Sequence, residues 1–317
     1  MEAERKSRAE YMREWRKRNP DKVRQYAERR KAKRKKTTVP SVMTEKEYRS
    51  HPAVSRSELW KMNESPEKFK WYREHPLTPT PALVFGQVTH KLLLQPETFL
   101  DEFIVAPICD RRTKAGKEEY EAFLATVGER TVISQDDYDR ALDMVTAVRM
   151  HPLANRFLQG GTEIPYFWTD EMTGESCKCR LDCLHEEDDC MYIVDYKTTV
   201  NAATDIFSNK DVWRYGYAFQ AAMYSEGVMH DPLRNITERP RFVFIAQEKQ
   251  APYSVNVIAV PDEVMLAGLD KYRELLGMYH ECQVMDYYPG YNGALNELNE
   301  VVLPGWMQLG VEEEDDG

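Results

Sequence analysis

Asp195-Tyr196-Lys197 sets a carboxylate and an amine one residue apart, behind the apolar lead-in Ile193-Val194. In a strand, residues two apart share a face, so Asp195 and Lys197 stand side by side while Tyr196 points the other way. Burying such a pair is costly unless something compensates the charges. A divalent cation would compensate the carboxylate, and a water or phosphate oxygen would engage the amine. A solvated Asp/Lys pair on a surface strand has the same sequence, so the triplet takes its meaning from the residues around it.

Four further features can join it. Gly86 and His90 are four apart, hence on one face of an apolar helix expected over residues 82–94. A glycine inside a helix costs about 1 kcal/mol relative to alanine, which a close neighbour at that face would explain. Asp182 lies near the end of a strand expected over 176–184, and the acidic turn at 186–189 leads into the strand of Asp195. Antiparallel pairing through that turn can bring the two carboxylates together. Gln220 and Tyr224 share a face of a helix expected over 211–229. Basic side chains at Arg111, Arg112, Lys114 and Arg180 are candidate phosphate contacts.

Two carboxylates, an imidazole and a lysine form a workable set for metal-assisted phosphodiester hydrolysis. Oxygen ligands suit Mg²⁺ or Mn²⁺. Such a metal polarises the scissile phosphate, lowers the pKa of a water and stabilises the leaving oxygen. Lys197 would orient or activate the water and offset charge in the transition state. Gln220 and Tyr224 would position the lysine or the DNA strand.

The elements that must carry these residues are an α/β (α+β) set. Ser65-Pro66 reads as an N-cap and first helical residue. The helix runs to about His75 and buries Phe69 with Trp71 or Tyr72. Helices are expected over 117–127 and 135–150. From residue 163 the period becomes two, with a hairpin turn at 172–174. Strands follow over 242–245 and 255–260, then a long helix from Pro261-Asp262 to Met285.

At 317 residues, 42% apolar and 30% charged, the chain holds one large domain or two small ones. No apolar run approaches the roughly 18 residues of a membrane span, and an N-terminus charged from its second residue is not a secretory signal. Six cysteines without scaffold spacing suit a reducing cytosol. Residues 1–36 hold 16 Lys/Arg against 6 Asp/Glu, whereas the remaining 281 hold 27 against 47. That is a basic arm on an acidic body. The arm either grips phosphate backbone or is a solvated tail. Residues 37–53 read as a linker, 54–307 as the folded domain and 308–317 as an acidic tail.

The order G-x-x-x-H, D, V-D-Y-K-T, Q-x-x-x-Y resembles the RecB-like branch of the PD-(D/E)xK nucleases. More closely, Phe85-Gly-Gln-Val-Thr-His90, Phe103-Ile-Val-Ala-Pro107, Arg111-Arg-Thr-Lys-Ala-Gly-Lys117, Cys177-Lys-Cys-Arg-Leu-Asp182 and Val194-Asp-Tyr-Lys-Thr-Thr199 look like the RecE-type exonuclease (exonuclease VIII) family. The resemblance runs over residues 54–307, with Leu303-Pro-Gly-Trp306 near its end. It implies a restriction-endonuclease-like core, a central mixed sheet flanked by helices. It implies a cytoplasmic, phage-type enzyme that degrades linear double-stranded DNA 5′→3′. The 3′ single strand left behind would pass to an annealing protein of the RecT type. Members assemble as rings. By position, His90, Asp182, Asp195 and the Tyr196 carbonyl become metal ligands, Lys197 the catalytic lysine, and Gln220 and Tyr224 the accessory pair. Leu181 stands where relatives often carry proline.

Two other readings stay open on the sequence. Cys177, Cys179, Cys183 and Cys190 could hold an iron–sulfur cluster, as in some RecB-like nucleases, although their spacing fits no such knuckle. The fold could instead serve as a DNA-binding or assembly module without catalysis, against which the intact Asp182, Asp195 and Lys197 argue.

Overall fold

Period-two alternation builds a mixed sheet whose pairing opens at one point. The computed structural model describes residues 17–18, 20–21, 43–76, 78–188, 190–231, 236–293 and 298–302. Most of the basic arm, Leu303 to Trp306 and the acidic tail lie outside the described residues.

The main sheet contains β1 (Val54–Ser55), β4 (Gly161–Thr169), β5 (Ser176–Glu187), β6 (Cys190–Thr199), β7 (Arg241–Glu248) and β8 (Val255–Val260), while β2 (Phe103–Val105) and β3 (Thr131–Ile133) form a small parallel pair apart from it. β4, β5 and β6 are an antiparallel meander, β7 lies parallel to β6, and β8 returns antiparallel at the edge. β4 pairs with β5 from Ser176 to Leu184. A strand has two edges, so β1 and β6 must share the other one. β1 takes Cys177 and Lys178. The β6 ladder begins only at Cys183, opposite Val194. Residues 179–182 of that edge lie between the two partners, and β6 runs on to Thr199 beside β7. β5 and β6 therefore fork at Asp182.

Helices cover both faces. Cys177, Cys179, Leu181, Tyr166 and Trp168 pack beneath α8 (Tyr217–Met229) and α9 (Asp262–Met285) in the largest core cluster. Cys183, Val194, Tyr196 and Ile245 face the opposite way, toward α4 (Pro81–Leu94), α6 (Gln135–Met150) and α7 (Pro152–Phe157). Burying each such side chain contributes about 1.5–3 kcal/mol. Leu181 and Leu184 both face the α8 side, so the alternation of β5 slips by one residue at Asp182. α8 and α9 cross with backbone contact, because a Cβ on Gly268 would lie 2.1 Å from the Ala218 carbonyl oxygen.

Several elements differ from the sequence expectation. Within the segment read as a linker, residues 45–50 form helix α1 (Glu45–Ser50), closed by a Thr44/Glu47 capping box. Lys178 ties its C-terminal end to the sheet, donating from Nζ to the carbonyls of Tyr48 (2.8 Å), Arg49 (3.3 Å) and His51 (2.8 Å). A cation at that end also meets the negative pole of the helix. β1 leads into α2 (Arg56–Trp60). Helix α3 (Pro66–Glu74) starts on its Ser65 cap and buries Phe69, while Trp71 lies exposed against His75. Helix α5 (Lys114–Val127) begins earlier than expected, capped by Thr113. The helix expected over 211–229 is broken. A π-helical segment, Phe207–Val212, precedes Gly216, whose positive φ of 66° opens α8. Among the described residues no helix is long and apolar enough to cross a membrane.

Candidate active site and metal centre

At the fork, Asp182 projects between the two diverging strands. Its Oδ2 accepts the Tyr196 backbone N–H at 2.8 Å, so a side chain continues the pairing where the β5 backbone has moved away. His90, on α4, brings Nε2 to within 3.0 Å of the same oxygen. The other ring nitrogen, Nδ1, lies 3.3 Å from Oε1 of Glu163. Thr162 pairs with Cys183 and Ile164 with Leu181, which puts Glu163 across from Asp182. One ligand atom from each of His90, Glu163 and Asp182 lies within 4.8 Å of the others, an arrangement able to hold a metal.

Asp195 and Lys197 enter from β6, side by side as their spacing requires, with Lys197 Nζ 2.5 Å from Asp195 Oδ2. Asp195 is 1% exposed. Its Oδ1 accepts from the Gln220 amide on α8, and Oδ2, buried, has the Lys197 ammonium as its partner. Lys197 also lies 5.0 Å from the centre of the Tyr217 ring. Tyr224 shares the Gln220 side of α8 and packs its ring against Phe242. Tyr196 points away, buried, its hydroxyl donating to Gln247 Oε1 at 2.5 Å.

The charges are set against one another. Burial pushes the Asp195 carboxyl up to about 6, with Lys197 opposing that rise and Asp182 adding to it. Burial acts on Asp182 in the same sense, but His90, Lys197 and the Tyr196 N–H outweigh it and hold Asp182 below the ordinary carboxylate range. Burial lowers the His90 pKa; the Asp182 and Glu163 carboxylates overcome this and raise it. Burial likewise disfavours the Lys197 ammonium, which Asp195 and Asp182 more than restore.

These residues fit a divalent cation. Asp195 Oδ2 is a buried carboxylate oxygen whose partner among the described residues is the Lys197 ammonium alone. The 3.0 Å between Asp182 Oδ2 and His90 Nε2 matches adjacent corners of an octahedron with ligands at about 2.1 Å, which lie about 3 Å apart. The carboxylate oxygens are donors that suit Mg²⁺ and Mn²⁺, and the imidazole is a donor more usual on later divalent transition metals.

The structure gathers His90, Asp182, Asp195, Tyr196, Lys197 and Gln220 at one place, and sets Tyr224 on the same helix face. It uses Arg180 differently from the expected phosphate contact. Arg180 Nε pairs with Glu163 Oε2 at 2.6 Å, and the same guanidinium pairs with Glu45 of α1. Two carboxylates already claim this cation. Arg111 and Arg112, at the turn before α5, and Lys114, its first residue, lie exposed with local contacts: Arg111 over the Tyr120 ring at 4.2 Å, the Arg112 N–H on Asp110, Lys114 beside Glu118. Gly86 is not tightly enclosed, since a Cβ there would meet Thr198 Oγ1 at an ordinary 3.6 Å. Cys177 and Cys179 face one side of β5 and Cys183 the other, which does not form a four-thiolate cage.

Glu163 and Tyr217 are the site residues that sequence reasoning missed. Glu163 had a usable signal. It precedes the alternating Ile164, Tyr166 and Trp168, so it belongs to the opposite face, and a register counted back from the 172–174 turn sets it opposite Cys183, one residue from its observed place across from Asp182.

The fold is shared with known structures. A "Putative exonuclease" from Eubacterium rectale superposes with a TM-score of 0.53 at 13% identity, covering 86% of this chain and 99% of that one. A second structure, of SSO0001, aligns at 10% identity over 61% of this chain and 85% of that one with a TM-score of 0.28, too low to carry an argument. No curated protein matches the sequence. Residues 55–300 match the model of a PDDEXK-like domain of unknown function, DUF3799. That span takes in the forked sheet, save Val54 of β1, with His90, Asp182, Asp195 and Lys197, and the chain belongs to this PDDEXK-like family.

Proposed function

We propose that the protein is a Mg²⁺-dependent exodeoxyribonuclease, with Mn²⁺ as a substitute, that hydrolyses linear double-stranded DNA 5′→3′ and leaves a 3′ single strand for recombination. The observation that carries the hydrolytic part is the fork. It sets a buried Asp195, its Oδ2 met by the Lys197 ammonium alone among the described residues, beside the pair of Asp182 and His90. A nuclease-like fold supports the same class of chemistry. The exonuclease character, the polarity and the duplex substrate rest on the motif resemblance to RecE-type enzymes, and the description of the Eubacterium rectale structure agrees with an exonuclease.

His90, Asp182, Asp195 and the Tyr196 carbonyl would hold the metal, which supplies Lewis acidity and a water of lowered pKa. Gln220 fixes Asp195 by its amide. Lys197 presents an ammonium at the carboxylate, placed to orient the attacking water and offset charge on the phosphate. Exposed Arg111, Arg112 and Lys114, with the basic arm, would follow the DNA backbone by counterion release. A ring-shaped homo-oligomer acting on DNA ends in the cytoplasm, with a RecT-type annealing protein as partner, completes the proposal.

Strand-specific end-labelling of a linear duplex, with Mg²⁺ or with EDTA, tests it, with closed circular DNA in parallel. The expected outcome is metal-dependent loss of 5′-terminal nucleotides from linear DNA and intact circles. Cutting of circles as fast as linear DNA would overturn the exonuclease reading. Binding without any metal-dependent loss would mark a DNA-binding module instead. Light scattering on the purified protein reports the assembly state.

A further inference from the structure

We propose that Glu163 is a positioning residue of the metal centre: its carboxylate holds the Nδ1 edge of His90, so that the Nε2 edge is presented to the metal beside Asp182. This rests on the metal-dependent reading above and assigns a role that none of the sequence motifs contains.

The imidazole divides its two edges between two carboxylates, Nδ1 to Glu163 Oε1 at 3.3 Å and Nε2 to Asp182 Oδ2 at 3.0 Å. Either carboxylate could in principle be the ligand and the other the support. Three observations decide it. Glu163 is already engaged on both oxygens, since Oε2 takes Arg180 Nε at 2.6 Å. Asp182, in contrast, is the carboxylate that reaches into the fork and meets the Tyr196 N–H.

The second observation is the anchoring. Arg180 is held in turn by Glu45 at the start of α1, and Lys178, two residues earlier on the same face of β5, fixes the end of that helix. A chain of contacts thus runs Glu45, Arg180, Glu163, His90, Asp182. Metal-ligating histidines characteristically donate their other N–H to such a fixed carboxylate, which sets the tautomer and the ring orientation.

The third is the backbone. Glu163 adopts a positive φ of 54°, a conformation unfavourable for a residue with a side chain and maintained only where its surroundings enforce it. It also stands opposite Asp182 on a neighbouring strand, and like charges so placed are destabilising. An imidazole between them relieves that repulsion.

Mn²⁺ titration calorimetry on the full chain tests the assignment without recourse to turnover. E163M keeps the side-chain length and removes the acceptor; E163A is the second acceptor-free variant should E163M not fold, as judged by thermal melting in EDTA. The acceptor-free variant is expected to raise the Mn²⁺ dissociation constant by about 10–100-fold, the usual effect of losing such a partner. E163Q keeps an oxygen on Nδ1 and is expected to recover most of that loss. An E163Q as weak as E163M would make Glu163 an anionic ligand and overturn the positioning role. An E163M that binds Mn²⁺ like the wild type would remove the role while leaving the nuclease reading intact. A wild-type protein that binds no Mn²⁺ would overturn both.

Discussion

Asp195→Asn should stabilise the metal-free protein while abolishing hydrolysis. Burial lifts the Asp195 carboxyl from its ordinary value of 3.8 to about 6. At about 1.4 kcal/mol for each pKa unit, ionising it in the fold costs about 3 kcal/mol more than ionising it in the unfolded chain. The direction follows from linkage. Between those two values the folded state binds the extra proton, so this group's contribution to stability is fully present below about pH 4 and lost as the pH rises through about 6. Asparagine keeps an oxygen for the Gln220 amide and cannot ionise. The variant should therefore match the wild type near pH 4 and exceed it by about 3 kcal/mol at pH 8. For a domain of this size that is about 6–12 °C in melting temperature. The assay is thermal unfolding of both proteins in EDTA from pH 4 to pH 8. Adding Mg²⁺ should narrow the gap, because ligand at 100 times its dissociation constant stabilises a binding-competent fold by about 2.7 kcal/mol, which the variant forgoes. A variant no more stable than the wild type at pH 8, or an advantage that persists undiminished at pH 4, would refute the reasoning.

Other perturbations separate chemistry from support. Lys197→Met should lower the hydrolysis rate by at least about 10²–10³-fold while gel-shift binding of linear duplex in EDTA is retained; substantial cleavage would remove Lys197 from its role. Tyr196→Phe leaves Gln247 Oε1 without the hydroxyl it accepts from. It should cost about 1–3 kcal/mol in denaturant unfolding with turnover little changed, since the ring points away from the fork. Gly268→Ala drives a Cβ into the Ala218 carbonyl. It should cost about 1–3 kcal/mol and, by shifting the helix of Gln220, lower turnover more than an equally destabilising change on α3.

What the sequence disclosed and what it concealed divide along physical lines. Local chemistry was readable. Ser65-Pro66 opens α3, residues 135–150 form α6 and Pro261-Asp262 starts α9, because caps and periodicity act over a few residues. The nearness of Asp182 to Asp195 followed from one tight turn, which sets Cys183 opposite Val194 just before the strands part. Arg180 was misread because a cation on a strand looks solvated until its partner is known, and that partner, Glu45, lies 135 residues away in a segment read as linker. The break at Gly216 was hidden for the reverse reason. Residues 207–229 are helical on both sides of it, so their pattern reads as one helix, and only the chain's need to turn toward Asp195 separates them.

Several departures from ordinary folding rules converge at one point. A buried carboxylate and lysine, a residue with a side chain at positive φ, two carboxylates facing each other across a ladder, and a strand whose alternation slips all lie within the fork around Asp182. Each would be selected against in a scaffold serving stability alone. Each is instead compensated by a particular neighbour: Gln220 on Asp195, His90 between Glu163 and Asp182, Arg180 on Glu163, the Tyr196 N–H on Asp182. Such compensation holds strain in place without removing its cause. Asp195 Oδ2, buried, is met by the Lys197 ammonium alone among the described residues, and the neighbouring Asp182 adds a second carboxylate that pushes its pKa up. Glu163, Asp182 and Asp195 thus gather at the fork with His90, and the first two with the imidazole form an arrangement able to hold a metal.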